Sequence, residues 1–156
     1  MAVFAIRTVR FERRHLSITM NMRILALVSE RDHRKTAHRG MESSLDLYRV
    51  SGAGPLDVLW VRTADLEGVR ADALLRESTA PWAVPSSPYE STAGAFSAIG
   101  HARLKGKAFL QTCGGFQHAI MEFRQTVLDR PASHAELGPE AKDPVIAPRR
   151  PARWSA

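Results

Sequence analysis

The single cysteine of this 156-residue chain, Cys113, constrains the fold more than any other feature. An apolar run from Ala108 to Leu110 precedes it, two glycines follow it, and helix-forming sequence comes next. This pattern predicts a strand, a sharp turn and a helix, which is the geometry of a nucleophile elbow. Gly114 and Gly115 leave room for the turn, and the helix directs its first free N–H groups at the sulfur, which favours the thiolate. Cys113 is therefore predicted to be a nucleophile, and a buried, inert cysteine is the alternative.

Short apolar strands alternate with helical segments along the chain. The predicted strands are 24–28, 57–61, 81–84 and 108–112, and the predicted helices are 36–48, 71–76, 92–105 and 115–128. Such alternation predicts an α/β fold in which helices cover both faces of a parallel sheet. Ligands of these sheets bind beyond the carboxyl ends of the strands. Since Ser86, Ser87 and Cys113 all follow predicted strands, we expect them to line one pocket.

The segment from Pro85 to Leu128 resembles the glutaminase domain of class I glutamine amidotransferases. The resemblance rests on the order and spacing of Pro85-Ser86-Ser87-Pro88-Tyr89, Cys113-Gly114-Gly115-Phe116-Gln117 and Ile120-Met121-Glu122-Phe123. Within that class the chain is most similar to CTP synthase and to small stand-alone CTP-synthase-like proteins. The resemblance extends from about residue 22 to about residue 146. It implies a flavodoxin-like parallel sheet flanked by helices and incomplete at the C-terminus.

The resemblance also implies a role for individual residues. Cys113 matches the cysteine that attacks the side-chain amide of glutamine, forms a thioester and releases ammonia. The N–H of Gly114 and one N–H from the turn at 86–87 would bind the developing oxyanion. Gln117 matches the glutamine that holds the amino-acid end of the substrate. Glu136 approximates the carboxylate that binds the substrate's ammonium group.

Two departures from the family pattern predict low activity. The family has glycine where Ser86 stands, because the turn favours a conformation that side chains resist, so Ser86 is expected to weaken the second oxyanion donor. The family also takes its histidine base and the orienting carboxylate from a His-x-Glu motif on a later loop. Here His134-Ala135-Glu136 has that spacing but matches a substrate-binding segment, so His134 is not the expected base. The first hypothesis is a truncated amidotransferase that is weak or inactive alone. The second is a non-catalytic binding or regulatory remnant that uses the same glutamine pocket, or a decayed gene product.

Other polar residues are interpreted as structural. Glu122 is expected to be structural, and His118 to pack or to line the rim. Asp32, His33 and His38 could form a metal cluster, but a solvated loop is the preferred interpretation. No phosphate-binding glycine loop or dinucleotide fingerprint occurs, so no cofactor is predicted for this chain. ATP and Mg²⁺ would belong to a separate synthetase domain, and the expected partners are glutamine and a synthetase or acceptor subunit or a second copy.

The net charge of +6 comes from the two ends of the chain. Residues 1–21 carry four arginines and one glutamate, residues 148–156 carry three arginines, and the body between them balances its charges. A nucleic-acid-binding domain would concentrate basic residues on a folded face, so that function is not predicted. We interpret 1–21 as an N-terminal extension that is either disordered or the result of a start placed too early, 22–147 as a partial amidotransferase-like domain and 148–156 as an irregular tail. One cysteine and the lack of a long apolar run predict a cytoplasmic protein outside the membrane.

Overall fold

The computed structural model describes residues 23–68, 70–138, 140–141 and 144–148. Its strands are β1 (Arg23–Val28), β2 (Leu56–Val61), β3 (Ala80–Ala83) and β4 (Leu110–Gln111). They form one parallel sheet in the order β2-β1-β3-β4. This is the flavodoxin-like strand order, and it confirms the predicted α/β fold class.

Helices connect the consecutive strands. They are α1 (Thr36–Val50), α2 (Arg70–Leu75) and α3 (Thr92–Leu104), and α4 (Gly114–Glu122) follows β4; a 3₁₀ helix covers Thr63–Leu66 and a π-helical segment covers Phe123–Val127. The largest differences from the prediction lie at 108–112, where only Leu110–Gln111 pairs with β3, and at 115–128, where the α-helix ends at Glu122. The start of α3 is well defined because the Ser91 hydroxyl accepts the N–H of Gly94 at 2.9 Å, as an N-cap serine does.

The core consists of two apolar clusters, one on each face of the sheet. Successive residues of a strand face opposite sides, so Ala26 and Val28 join one cluster while Leu27 joins the other. Leu27 packs with Met41 and Leu45 of α1. The side chains of Ala26, Leu27 and Val28 are fully buried, as expected for a strand covered by helices on both faces.

Charged side chains fasten the elements together. Lys107 Nζ donates to the carbonyl oxygens of Leu75, Arg76 and Ser78 at 2.6, 2.8 and 2.7 Å, where α2 ends. Leu75 is the last residue of α2, and its carbonyl oxygen also accepts the N–H and the hydroxyl of Ser78, whereas Arg76 and Ser78 lie after the helix. Arg103 on α3 forms an ion pair of 2.6 Å with Glu122 on α4, whose side chain is only 3% exposed.

Glu30, directly after β1, joins three segments at the carboxyl edge of the sheet. Its carboxylate accepts the N–H of Thr63 at 3.0 Å, the Thr63 hydroxyl, and the N–H of Glu90 at 3.2 Å. Partial burial opposes ionisation of Glu30, but these hydrogen bonds outweigh it and lower the pKa of the carboxyl. The Glu30 carboxylate therefore connects the loops that follow β1, β2 and β3 through side-chain hydrogen bonds and not through strand pairing.

The predicted N-terminal extension, residues 1–21, lies outside the described residues, as does the predicted tail apart from Pro148. Across the described ranges, no helix combines the length and apolar character that crossing a membrane requires.

Candidate active site

Cys113 occupies the turn between β4 and α4, as the elbow pattern predicts. Its backbone has φ 51° and ψ −117°, a conformation that costs a residue with a side chain roughly 1–3 kcal/mol. The side chain is exposed. The structure thus contains the strand, sharp turn and helix, and it does not support the buried, inert alternative.

The two glycines after Cys113 allow the elbow to press against β3 and the turn that follows it. A Cβ atom on Gly114 would lie 1.9 Å from the carbonyl oxygen of Ser86, and one on Gly115 would lie 2.1 Å from that of Ala83. No side chain fits at such distances. The elbow and the turn at 85–87 are therefore in contact, as expected of two loops at the carboxyl edge of one sheet.

The two predicted oxyanion donors, the N–H of Gly114 and an N–H of the turn at 86–87, differ in their orientation toward the elbow. Gly114 is the first residue of α4, so its N–H has no acceptor within the helix. The Ser86 carbonyl oxygen faces Gly114, and the N–H of Ser87, on the opposite side of the same trans peptide, points away from it. Gly114 is thus the donor that the structure leaves available, and the role of the turn stays a prediction.

The backbone strain expected at Ser86 does not occur. Among the described non-glycine residues, positive φ angles are found at Cys113 and Asp129 and not at Ser86. Ser86 is buried, whereas Ser87 is exposed. The turn accommodates a serine at this position, so the conformational argument against Ser86 was wrong.

His38 supports the turn from α1. Its Nδ1 accepts the N–H of Asp32 at 3.1 Å, and therefore in the neutral ring Nε2 carries the proton and donates to the Pro85 carbonyl at 2.9 Å. The residue is only 1% exposed, so the interpretation of His38 as part of a solvated loop was wrong. Sequence reasoning missed it, although its spacing to Met41 and Leu45 places it on the buried face of α1.

The side chains of His33 and Asp32, the other two members of the possible metal cluster, have partners other than His38. His33 is exposed, with Nδ1 3.8 Å from a carboxylate oxygen of Glu42. Asp32 pairs with Arg34, and the hydrogen bond from that guanidinium lowers the pKa of Asp32 to about 2. Within the described part of the chain, no three His, Cys, Asp or Glu side chains are grouped so as to hold a metal ion.

Gln117, His134 and Glu136 are linked by hydrogen bonds. Gln117 lies one helical turn after Cys113, and its N–H donates to the Cys113 carbonyl at 3.2 Å. His134 Nδ1 accepts the N–H of Glu136 at 3.1 Å, so Nε2 of the neutral ring donates to Gln117 Oε1, also at 3.1 Å. Backbone pairing with Ile146 holds His134 in place, and the residue is buried.

The hydrogen bonds of the histidines near the elbow indicate whether one of them can act as the general base for Cys113. Both ring nitrogens of His134 are engaged, and its partner is Gln117 and not the Cys113 sulfur. His118 is fully buried beneath the elbow, where Nδ1–H donates to the Gly114 carbonyl at 2.8 Å and burial lowers its pKa. Across the described residues, no histidine forms a hydrogen bond with Sγ of Cys113. His118 and Glu122 thus occupy packed positions, as expected.

A groove of about 580 Å³ lies between α3 and α4. Its apolar lining includes Ile99, Phe109, Ile120 and Phe123. Cys113 does not line it. The candidate site is therefore the carboxyl edge of the sheet and not this groove.

The fold and the site together define a class: an α/β protein with a flavodoxin-like sheet and an exposed cysteine on a strand-turn-helix elbow. No protein-family model matches the chain. Over 115 residues, or 73% of the chain, it is 32% identical to the CTP synthase of Haloarcula hispanica, and it covers 19% of that relative. Over 92 residues, or 58% of the chain, it is 36% identical to the CTP synthase of Prochlorococcus marinus, of which it covers 17%.

The fold gives a matching result. The chain superposes on the glutaminase domain of Trypanosoma brucei CTPS with bound acivicin with a TM-score of 0.62, at 20% identity, over 77% of this chain and 47% of that one. These similarities place the chain among the CTP synthase-like glutamine amidotransferase domains. It spans about a fifth of the length of the curated relatives that it matches.

Proposed function

We propose that the pocket at the elbow binds glutamine and that Cys113 is the nucleophile that attacks its side-chain amide. The observation that carries the proposal is the exposed Cys113 at φ 51° at the start of α4. Strain of this kind persists only where the surrounding structure imposes it, and it concentrates at functional sites. The sequence similarity to CTP synthases adds the class of substrate.

In this proposal the Cys113 thiolate forms a bond to the amide carbon of glutamine, and the carbonyl electron pair moves onto oxygen. The Gly114 N–H stabilises that oxyanion. When the intermediate collapses, the C–N bond breaks and the nitrogen takes up a proton and leaves as ammonia. Water then cleaves the thioester, which releases glutamate and restores the thiol. Ammonia would be used by a separate synthetase or acceptor subunit.

Gln117 would hold the amino-acid end of glutamine, with its amide oriented by His134. His134 Nε2–H donates to Gln117 Oε1. The NH₂ group on the other side of the Gln117 amide can therefore donate to a carboxylate of the substrate. Glu136, which is exposed and adjacent to His134 in this cluster, would accept the substrate's ammonium group. The three residues would thus act as one recognition unit.

A second candidate function is glutamine binding without hydrolysis. It is favoured by one observation: among the described histidines, none forms a hydrogen bond with Sγ of Cys113, and both ring nitrogens of His134 have other partners. General base assistance is worth roughly 100- to 10,000-fold in rate. We therefore propose that the chain is slow or inactive by itself.

Ammonia release from glutamine by the purified chain tests the proposal that the chain is slow or inactive by itself. We expect a rate near background that changes little in Cys113→Ala. The exposed His33→Ala serves as the matched control for His134→Ala, and both should leave that background unchanged. Robust release that is lost in Cys113→Ala and in His134→Ala, but not in His33→Ala, would show that His134 is the base and that the chain is a complete glutaminase.

A further inference from the structure

Lys35 places a positive charge beside the candidate active site. It immediately precedes α1, and its Nζ donates to the Ser86 hydroxyl at 2.9 Å. Ser86 is 5% exposed, and its carbonyl oxygen lies where a Gly114 side chain would begin. One hydrogen bond and one backbone contact therefore connect the ammonium group to the elbow that carries Cys113.

The neighbouring carboxylates have other partners. Each of the three on the loop after β1 and the first half of α1 is engaged elsewhere: Glu30 with Thr63 and the Glu90 N–H, Asp32 with Arg34, and Glu42 with Arg31. The first turns of α1 and α4 contain no acidic residue. The charge of Asp32 also interacts with Lys35, but the Asp32 carboxylate forms its hydrogen bonds with Arg34. Since an ammonium group has three N–H donors and Ser86 accepts one, Lys35 has further donors for a ligand.

We infer that Lys35 is a specificity-determining residue of the Cys113 site, where its ammonium group, anchored on Ser86, favours negatively charged reactants over neutral ones. The inference rests on the proposed function in that Cys113 is the reacting group. The same charge would attract the developing oxyanion and a reactant that carries a carboxylate. At this turn, the serine that replaces the family glycine provides the anchor.

Alkylation of Cys113 by two small reagents measures this effect without any turnover. Iodoacetate is an anion and iodoacetamide is its neutral counterpart, so the ratio of their rates reports the local electrostatic potential. We expect Lys35→Met to lower the iodoacetate-to-iodoacetamide ratio by about two- to five-fold. Lys35→Arg should preserve the ratio because it keeps the charge. Lys105→Met is the matched control, because that exposed lysine follows the far end of α3 and pairs with Asp72.

Salt gives a second readout that a purely structural role would not alter. The wild-type ratio should fall as salt is raised from about 0.02 to 0.5 M, and the ratio of Lys35→Met should change much less. The iodoacetamide rate and the thermal unfolding curve of each variant report whether the elbow remains folded. An unchanged ratio in folded Lys35→Met, an equal loss in Lys105→Met, or a wild-type Cys113 that reacts with neither reagent would overturn the inference. Failure of glutamine to protect Cys113, with the Lys35-dependent ratio intact, would instead refute only the proposed function.

Discussion

Gly114→Ala tests the contact that brings the elbow and the turn together. The added Cβ would lie 1.9 Å from the Ser86 carbonyl oxygen and 2.9 Å from its carbon. Both atoms belong to the backbone, so no side-chain rotation relieves the clash, and the turn must move by about an ångström. Overpacking of this kind costs typically about 1–3 kcal/mol, and a rigid backbone neighbour places Gly114→Ala at or above the upper end. Displacing the turn should also slow the reaction of Cys113 with a glutamine-derived chloroketone.

Gly40→Ala is the matched control because it makes the same chemical change in open space. Nothing lies within 4 Å of the Cβ position of Gly40, which is inside α1. Alanine there should stabilise the protein by about 0.5–1 kcal/mol through its better helix propensity. Urea unfolding followed by circular dichroism measures both variants. A Gly114→Ala protein as stable as wild type, with unchanged Cys113 labelling, would refute the proposed contact.

Three further predictions concern the interactions that hold the elements together. Lys107→Met removes three hydrogen bonds to carbonyls and should cost about 1–3 kcal/mol in urea unfolding, whereas the exposed Lys105→Met should change stability by less than about 0.5 kcal/mol. Arg103→Met leaves the buried Glu122 carboxylate unpaired and should cost about 3–5 kcal/mol; adding Glu122→Leu should recover most of it, and equal stability of the single and double variants would contradict this. Glu30 has a lowered pKa, so its stabilisation is complete above the unfolded-state value and is lost as the pH falls through the folded-state value. Stability measured from about pH 6 to 3 should therefore fall less steeply in Glu30→Gln than in wild type.

The sequence predicted the features that depend on local pattern. The apolar run before Cys113 and the glycines after it define a strand, a turn and a helix, and the alternation of elements defines the parallel sheet. These signals are local because turn chemistry and side-chain periodicity act over a few residues. The end of α4 was not predicted, since helix-forming residues continue past Glu122 into the π-helical segment Phe123–Val127.

The supports of the turn could not be predicted in the same way. His38 contacts a carbonyl 47 residues away, and Lys35 contacts a hydroxyl 51 residues away. Nothing near either residue in the sequence shows that partner. The expectation of backbone strain at Ser86 was wrong for a related reason. It was taken from the glycine that other family members have at this position. In this structure the serine side chain has a partner of its own in Lys35.

The central claim, that the Cys113 pocket recognises glutamine, is tested most directly by labelling Cys113 with the chloroketone derived from L-glutamine and with its D-enantiomer. The two reagents have the same intrinsic reactivity, so a difference in rate reports recognition of the amino-acid end. We predict faster labelling by the L form, protection by added L-glutamine, and loss of the preference in Gln117→Ala. Equal rates for the two enantiomers, with no protection by glutamine, would contradict the account.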